Sequence, residues 1–150
     1  MNRRLLMGIV GLLALAHCAP APPPPPVLNL TIKGTADQNP DPSGRASPVA
    51  VRVYQLSSSA KFNQADVFGL MNNEAKVLGA EEATGSMEFL ISPGESKKVN
   101  VDLKPMVSAI GVAVLYRDID HAQWRTTQPA NAHGLTELTA TVGRLALTLK

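Results

Sequence analysis

Apolar and polar residues alternate along most of the chain with the period of two that marks half-buried strands. Leu28, Leu30 and Ile32 are interleaved with Asn29, Thr31 and Lys33, and Val49, Val51 and Val53 run on into Tyr54-Gln55-Leu56. Residues 87–91 and 97–103 read as two more strands across Ser92-Pro93-Gly94-Glu95, a good turn sequence; in the second, Val99, Val101 and Leu103 alternate with Lys98, Asn100 and Asp102. Residues 109–116 are apolar on both alternations, the pattern of a central strand covered on both faces. Leu138, Ala140 and Val142, then Leu145, Leu147 and Leu149, form two last runs whose phase breaks at Gly143.

Two stretches depart from this rhythm. Residues 36–48 hold Asp37, Asn39, Pro40, Asp41, Pro42, Ser43, Gly44 and Pro48, all turn-favouring, and predict a loop between the first two strands. After residues 57–60 the spacing of Phe62, Ala65, Phe68 and Met71 turns loosely helical, predicting a helix over 64–72 that begins at Asn63 or Asp66. Gly79 is the expected stop, with a polar loop through Gly85. Seven to eight short strands with one short helical insertion predict a mainly β protein, an antiparallel β-sandwich.

The N-terminus follows a different logic. A basic start, Arg3-Arg4, precedes an apolar run over residues 5–16, much shorter than the ~20 residues of a bilayer-spanning helix. This is the pattern of a cleavable signal peptide over residues 1–17. Leu15-Ala16-His17-Cys18 resembles a lipobox, with His17 where Gly, Ala or Ser is usual. Such a signal implies S-diacylglycerol and N-palmitoyl groups on Cys18, the only cysteine, and several acyl chains give durable anchoring where one does not. The competing reading is a free thiol beside an ordinary cleavage site. Ala19 after the cysteine, in place of aspartate, favours the outer membrane. Residues 18–27 then form the lipidated cysteine and a proline-rich linker, with Pro22 to Pro26 consecutive, and 28–150 the globular domain. As polyproline II at ~3.1 Å per residue, residues 19–26 would reach about 25 Å.

Removing the signal takes Arg3 and Arg4 away and lowers Lys plus Arg from 14 to 12, level with 12 Asp plus Glu. No positive field then argues for nucleic acid as a partner. Once Cys18 is acylated, no thiol remains for a disulfide or a thiolate metal site. Asp118-Ile119-Asp120-His121 is the one segment that could suggest a metal site or an acid–base pair, against the plainer reading that its charges pair locally or cap a turn. Trp124 and Arg125 are expected to pack against the sandwich edge. Nucleotide-binding and hydrolase motifs are absent, and no cofactor beyond the lipid is expected. The low aromatic content disfavours a sugar-stacking platform.

Several segments, in order and spacing, are similar to one family: Leu30-Thr31-Ile32; Asn39-Pro40-Asp41 through Gly44-Arg45-Ala46-Ser47-Pro48-Val49; Val51-Arg52-Val53-Tyr54-Gln55-Leu56; Phe62 with Ala65-Asp66-Val67-Phe68; Ser92-Pro93-Gly94-Glu95; Gly111-Val112-Ala113 with Tyr116-Arg117-Asp118-Ile119-Asp120; and Trp124-Arg125. With the lipobox they resemble the TssJ (VasD/Lip) lipoproteins of the bacterial type VI secretion system, over nearly the whole mature domain. The resemblance implies a transthyretin-like sandwich with a helical addition, anchored in the outer membrane and facing the periplasm. It also implies the periplasmic domain of TssM as a direct partner and TssL as an indirect one, with no enzymatic activity. In the family the loop between the first two strands matters for the TssM contact. Here that loop offers Gln38, Asn39, Pro40, Asp41, Gly44 and Arg45 as partner-binding candidates, with Gln38, Asn39 and Arg45 expected to present exposed hydrogen-bonding groups. Turn chemistry alone, with Arg45 solvated, is the alternative for each of these residues. A generic lipoprotein that binds a small molecule or cell-wall component, or a metal-dependent hydrolase, are the other functional readings.

Overall fold

The computed structural model describes residues 20–150; Cys18 and the signal segment lie outside them. Eight strands form: β1 Val27–Gly34, β2 Val49–Leu56, β3 Glu82–Ile91, β4 Ser96–Asp102, β5 Ala109–Val114, β6 Arg125–Pro129, β7 Leu135–Val142 and β8 Leu147–Leu149. Two four-stranded sheets face each other, in orders β4-β1-β7-β8 and β3-β2-β5-β6. The chain is a mainly β sandwich, as its alternation predicts. Every pairing between strands is antiparallel except β1 with β7, which run parallel from Val27↔Leu135 to Gly34↔Val142. Periodicity cannot reveal that exception, because the same inward set of side chains serves either direction.

The core lies between the sheets, where Leu28, Leu30, Ile32, Val51, Val53, Ile110, Val112, Val114, Ala140 and Val142 are all fully or almost fully buried. β5 is buried at every position, as its uninterrupted apolar run predicts. Its other face, Ala109 and Ala113 with Gly111 between them, lies under the helical insertion. Smallness is required there: a Cβ on Gly111 would stand 2.9 Å from Leu56 Cδ1 and 3.1 Å from Phe62 Cζ.

The single predicted helix is three short ones, α1 Ala60–Gln64, α2 Val67–Asn72 and α3 Glu74–Leu78. The chain turns extended at Ala65, and Asp66 caps α2 by accepting from Gly69 N at 2.8 Å. Helices this short draw their stability from packing rather than propensity. Phe62, Leu70 and Leu78 are fully buried against Tyr54 and Leu56 of β2, with the Phe62 and Tyr54 rings 5.1 Å apart. Two arginines of this sheet close the helix ends: Arg125 donates to the carbonyls of Phe62 and Ala65, and Arg52 to those of Leu70 (3.3 Å) and Met71 (3.4 Å). Arg125 also lies 4.7 Å over the Trp124 ring, so both residues pack back on the sandwich as expected. β3 begins at Glu82, inside the stretch expected to be loop, and β6 is an edge strand whose Thr126, Thr127 and Gln128 give no apolar alternation.

The Ser92-Pro93-Gly94-Glu95 turn does form, with Glu95 N to Ser92 O at 3.0 Å and Gly94 at φ 78°, but it carries the chain from one sheet to the other. The proline segment is partly docked. Pro26 is buried, its carbonyl accepts from Leu103 N at 2.9 Å, and the Pro24 carbonyl accepts from Gly134 N at 3.2 Å. Residues 24–26 thus belong to the fold, and the reach of about 25 Å expected from a stalk over residues 19–26 shortens accordingly. Among the described residues, all strand pairing and both apolar clusters fall within residues 27–149.

Candidate functional site: the loop pole of the sandwich

Strand direction sorts the connections into two poles. The proline segment, the β4–β5 loop and the β6–β7 loop share one. The β1–β2 loop, the β3–β4 turn, the β5–β6 connection and the β7–β8 turn share the other. The predicted binding loop therefore stands at the end of the domain opposite the anchor segment.

The base of this loop is built from buried amides. Gln38 is 0 % and Asn39 2 % exposed, which corrects the expectation that both present hydrogen-bonding groups to solvent. Gln38 Nε2 donates to Ile91 O (2.8 Å) and Ser47 O (3.2 Å), tying the loop to the end of β3. Its close approach to β1 requires Gly34, where a Cβ would collide with Gln38 Oε1 and come within 2.8 Å of Ser92 O. Asn39 holds a left-handed φ of 45°, which asparagine tolerates better than most residues. Its Nδ2 donates to Pro48 O at 3.0 Å, its backbone N to Arg144 O at 3.1 Å, and its Oδ1 accepts from Arg117 N at 2.8 Å. Ser47 Oγ donates to Asn39 O and accepts from Arg117 Nε at 3.1 Å. A sequence rich in turn residues is thus knitted to the β3 end, the β5–β6 connection and the β7–β8 turn.

The tip is organised by one carboxylate. Asp41 accepts from Ser43 N (2.9 Å), Arg45 N (3.0 Å) and Arg45 Nε (2.9 Å), while Gly44 at φ 78° closes the turn onto Asp41 O. The backbone N–H of Arg45, then its side chain and Ser43 N–H, hold the Asp41 carboxyl below its ordinary pKa against the cost of desolvation. Arg45 remains exposed, with its side chain 80 % accessible, and Pro40 is half-buried.

Between tip and sandwich lies a concavity of about 430 Å³, with Pro40, Asp41, Pro42 and Leu145 on its walls beside Arg117, Asp118 and Arg144. Asp118 pairs with His121 at 2.6 Å, and that hydrogen bond raises the imidazole pKa. Asp118 stands before, and Asp120 within, the short 3-10 turn Ile119–His121, so the extended geometry that would set both carboxylates on one face does not form. Among the described residues no group of three or more His, Cys, Asp or Glu could hold a metal ion. Asp118 and His121 do pair locally, as the plainer reading of this segment expects. Sequence reasoning missed Ser47, Arg117 and Arg144 as residues of this pole; the phase break at Gly143 was the available sign that Arg144 sits on a turn.

A family model described as "Type VI secretion lipoprotein, VasD, EvfM, TssJ, VC_A0113" matches residues 26–145. The chain belongs to this family. Among solved structures, TssJ1, the type VI lipoprotein of Pseudomonas aeruginosa, is 29 % identical with a TM-score of 0.81 over 85 % of this chain and 96 % of that one. A chain in a structure described as "Type VI membrane complex" is 25 % identical, with a TM-score of 0.74 over 83 % of this chain and 98 % of that one. A third, in the structure described as "T6SS protein TssM C-terminal domain (869-1107) from EAEC", is 23 % identical with a TM-score of 0.68 over 83 % and 98 %, a likeness of fold. Curated protein sequences gave no match. As a member of the TssJ family, the chain shares the mainly β fold of the structures it matches. None of its described helices is long and apolar enough to cross a membrane.

Proposed function

We propose that this TssJ-family chain is a structural link of the type VI secretion membrane complex, tethered to the periplasmic face of the outer membrane by lipid on Cys18. The pole carrying residues 36–48 takes the periplasmic domain of TssM and through it reaches TssL. The work is mechanical, and no catalytic step is assigned. One observation carries the reading: the segment leading to Cys18 docks at one pole, and the braced loop stands at the other. A tether needs its two attachments separated in this way. Family membership and the occurrence of this fold in a type VI membrane complex support it.

The loop is suited to binding because its base is already ordered. Little conformational entropy remains to be lost on association, and that loss is a main cost of recognition. Exposed groups at the tip are Pro42, Ser43, Gly44 and Arg45, while Gln38 and Asn39 act beneath them as supports. The test combines both ends. In an exporting bacterium, palmitate label should enter the wild-type chain and be lost in Cys18→Ser. A soluble domain starting at Pro20 should bind the TssM periplasmic region and bind it less tightly when residues 42–45 are replaced by Gly-Gly. Label retained in Cys18→Ser would remove the anchor, and unchanged affinity would remove the loop.

A further inference from the structure

The five described arginines divide into two kinds. Arg45 pairs with Asp41, Arg52 with Glu88 and Glu74, and Arg125 is spent on helix carbonyls and the Trp124 face. Arg117 and Arg144 have no ion pair among the described residues, and both are exposed. They line the same concavity at the loop pole.

Arg117 is also aimed. Its backbone N is held by Asn39 Oδ1 and its Nε by Ser47 Oγ, and among the described residues the two terminal nitrogens of the guanidinium fork take no hydrogen bond. The acids on the same wall do not neutralise the pair. The lining itself balances two arginines against two carboxylates, but Asp41 is engaged by Arg45 and Asp118 by His121, and with those two neighbours counted and His121 protonated an excess of two positive charges is left at the concavity. Its remaining walls are Pro40, Pro42 and Leu145. Apolar walls lower the local dielectric and strengthen a charge-assisted hydrogen bond made within them.

We propose that Arg117 and Arg144 form a clamp for carboxylates, taking Asp or Glu side chains of an acidic segment of the protein that docks on this pole. The proposal rests on the binding reading above and names the chemistry of its partner. A guanidinium fork matches a carboxylate or a phosphate equally well. The position of the site decides between them: lipid headgroups lie on the anchor side, and the concavity is at the opposite pole. The buried Asn39 and Ser47 are then positioning residues, acting through Arg117.

The experiment titrates the TssM periplasmic region into the soluble domain starting at Pro20, at low and high salt, by calorimetry. Arg117→Ala and Arg144→Ala should each weaken binding by about tenfold or more, and the double variant should lose most of the salt dependence that wild type shows. Arg117→Lys should fall between wild type and Arg117→Ala, since charge is kept and the fork is lost. Arg144 makes no side-chain hydrogen bond or ion pair among the described residues, so its variant tests the clamp without disturbing the fold. If wild type binds and the variants bind equally well, the clamp is wrong and the docking reading stands. If wild type does not bind, both fall together. Flotation of the domain with phosphatidylglycerol vesicles that depends on both arginines would assign the concavity to lipid phosphate and overturn the proposal.

Discussion

Two connections flank β2, and they are held by opposite means. The β1–β2 loop contains no helix, buries almost no apolar side chain and keeps its shape through directional bonds from Gln38, Asn39, Ser47 and Asp41. The β2–β3 insertion is helical and is held chiefly by volume, with Phe62, Leu70 and Leu78 sunk against Tyr54, Leu56 and the small residues of β5. Volume tolerates small shifts of position, whereas a network of short bonds does not. A surface that must present fixed groups to a partner is better built from directional bonds, and the loop pole is where that construction is found.

The largest expected effect lies on the apolar side of this contrast. Phe62→Ala should destabilise the domain by about 3–5 kcal/mol in chemical denaturation, because the cavity is walled by both sheet and helices. A loss under about 1 kcal/mol would show that the insertion re-closes and that volume is not what holds it. Next comes Asn39→Ala, expected to cost about 2 kcal/mol and to speed amide exchange at Arg117, since it strands the Arg117 N–H and strains a left-handed backbone. Asn39→Gly keeps the conformation and removes only the bonds, so the difference between the two variants separates strain from hydrogen bonding.

The smallest effect, once solvent screening of these part-exposed carboxyls is allowed for, is a pH dependence that runs through the insertion. Glu82 meets Glu74 from α3, with Arg52 and Tyr54 of β2 nearby, and Ser86 and Glu88 on its own strand. Burial first, and then the neighbouring Glu74 carboxyl, push the Glu82 pKa up from 4.5 to about 8. The folded state therefore keeps a proton that the unfolded chain has released, and this contribution is full below pH 4.5 and lost as pH rises to about 8. Desolvation raises the Glu74 carboxyl, but hydrogen bonds from Ser86 and Glu82 and the Arg52 charge together lower it, so it has the opposite sign and its contribution is lost as pH falls below 4.5. Melting temperature should thus decline on the alkaline side, and Glu82→Gln should flatten that decline. An unchanged alkaline slope in the variant would place the titrating group elsewhere.

Much of the sandwich was readable because inward and outward residues alternate plainly in β1, β2, β4 and β7, and because β5 has no polar interruption. β6 was not, since an edge strand of Arg-Thr-Thr-Gln-Pro carries no apolar rhythm. Sheet membership was hidden for a different reason: Ser92-Pro93-Gly94-Glu95 specifies a turn but not whether the strands beside it pair. The loop was placed correctly from its turn residues. Its interior was misread, because Gln38 and Asn39 are polar and their burial is made tolerable by backbone partners that include groups far along the chain, such as Ile91 O and Arg117 N–H. Arg117 and Arg144 gain significance from one another across 27 positions of sequence, a relation that no local pattern encodes.

The docking of Pro26 onto Leu103 settles how load would enter the domain. β1 begins one residue later and ends at Gly34, where the loop starts, and it is flanked along its length by β4 and β7. A pull between the two poles runs along the axis of that strand, so its ladder hydrogen bonds on both sides are strained in parallel instead of being opened one after another. Rupture then requires many bonds to fail at once, and the sandwich becomes stiffest along the line between its two poles.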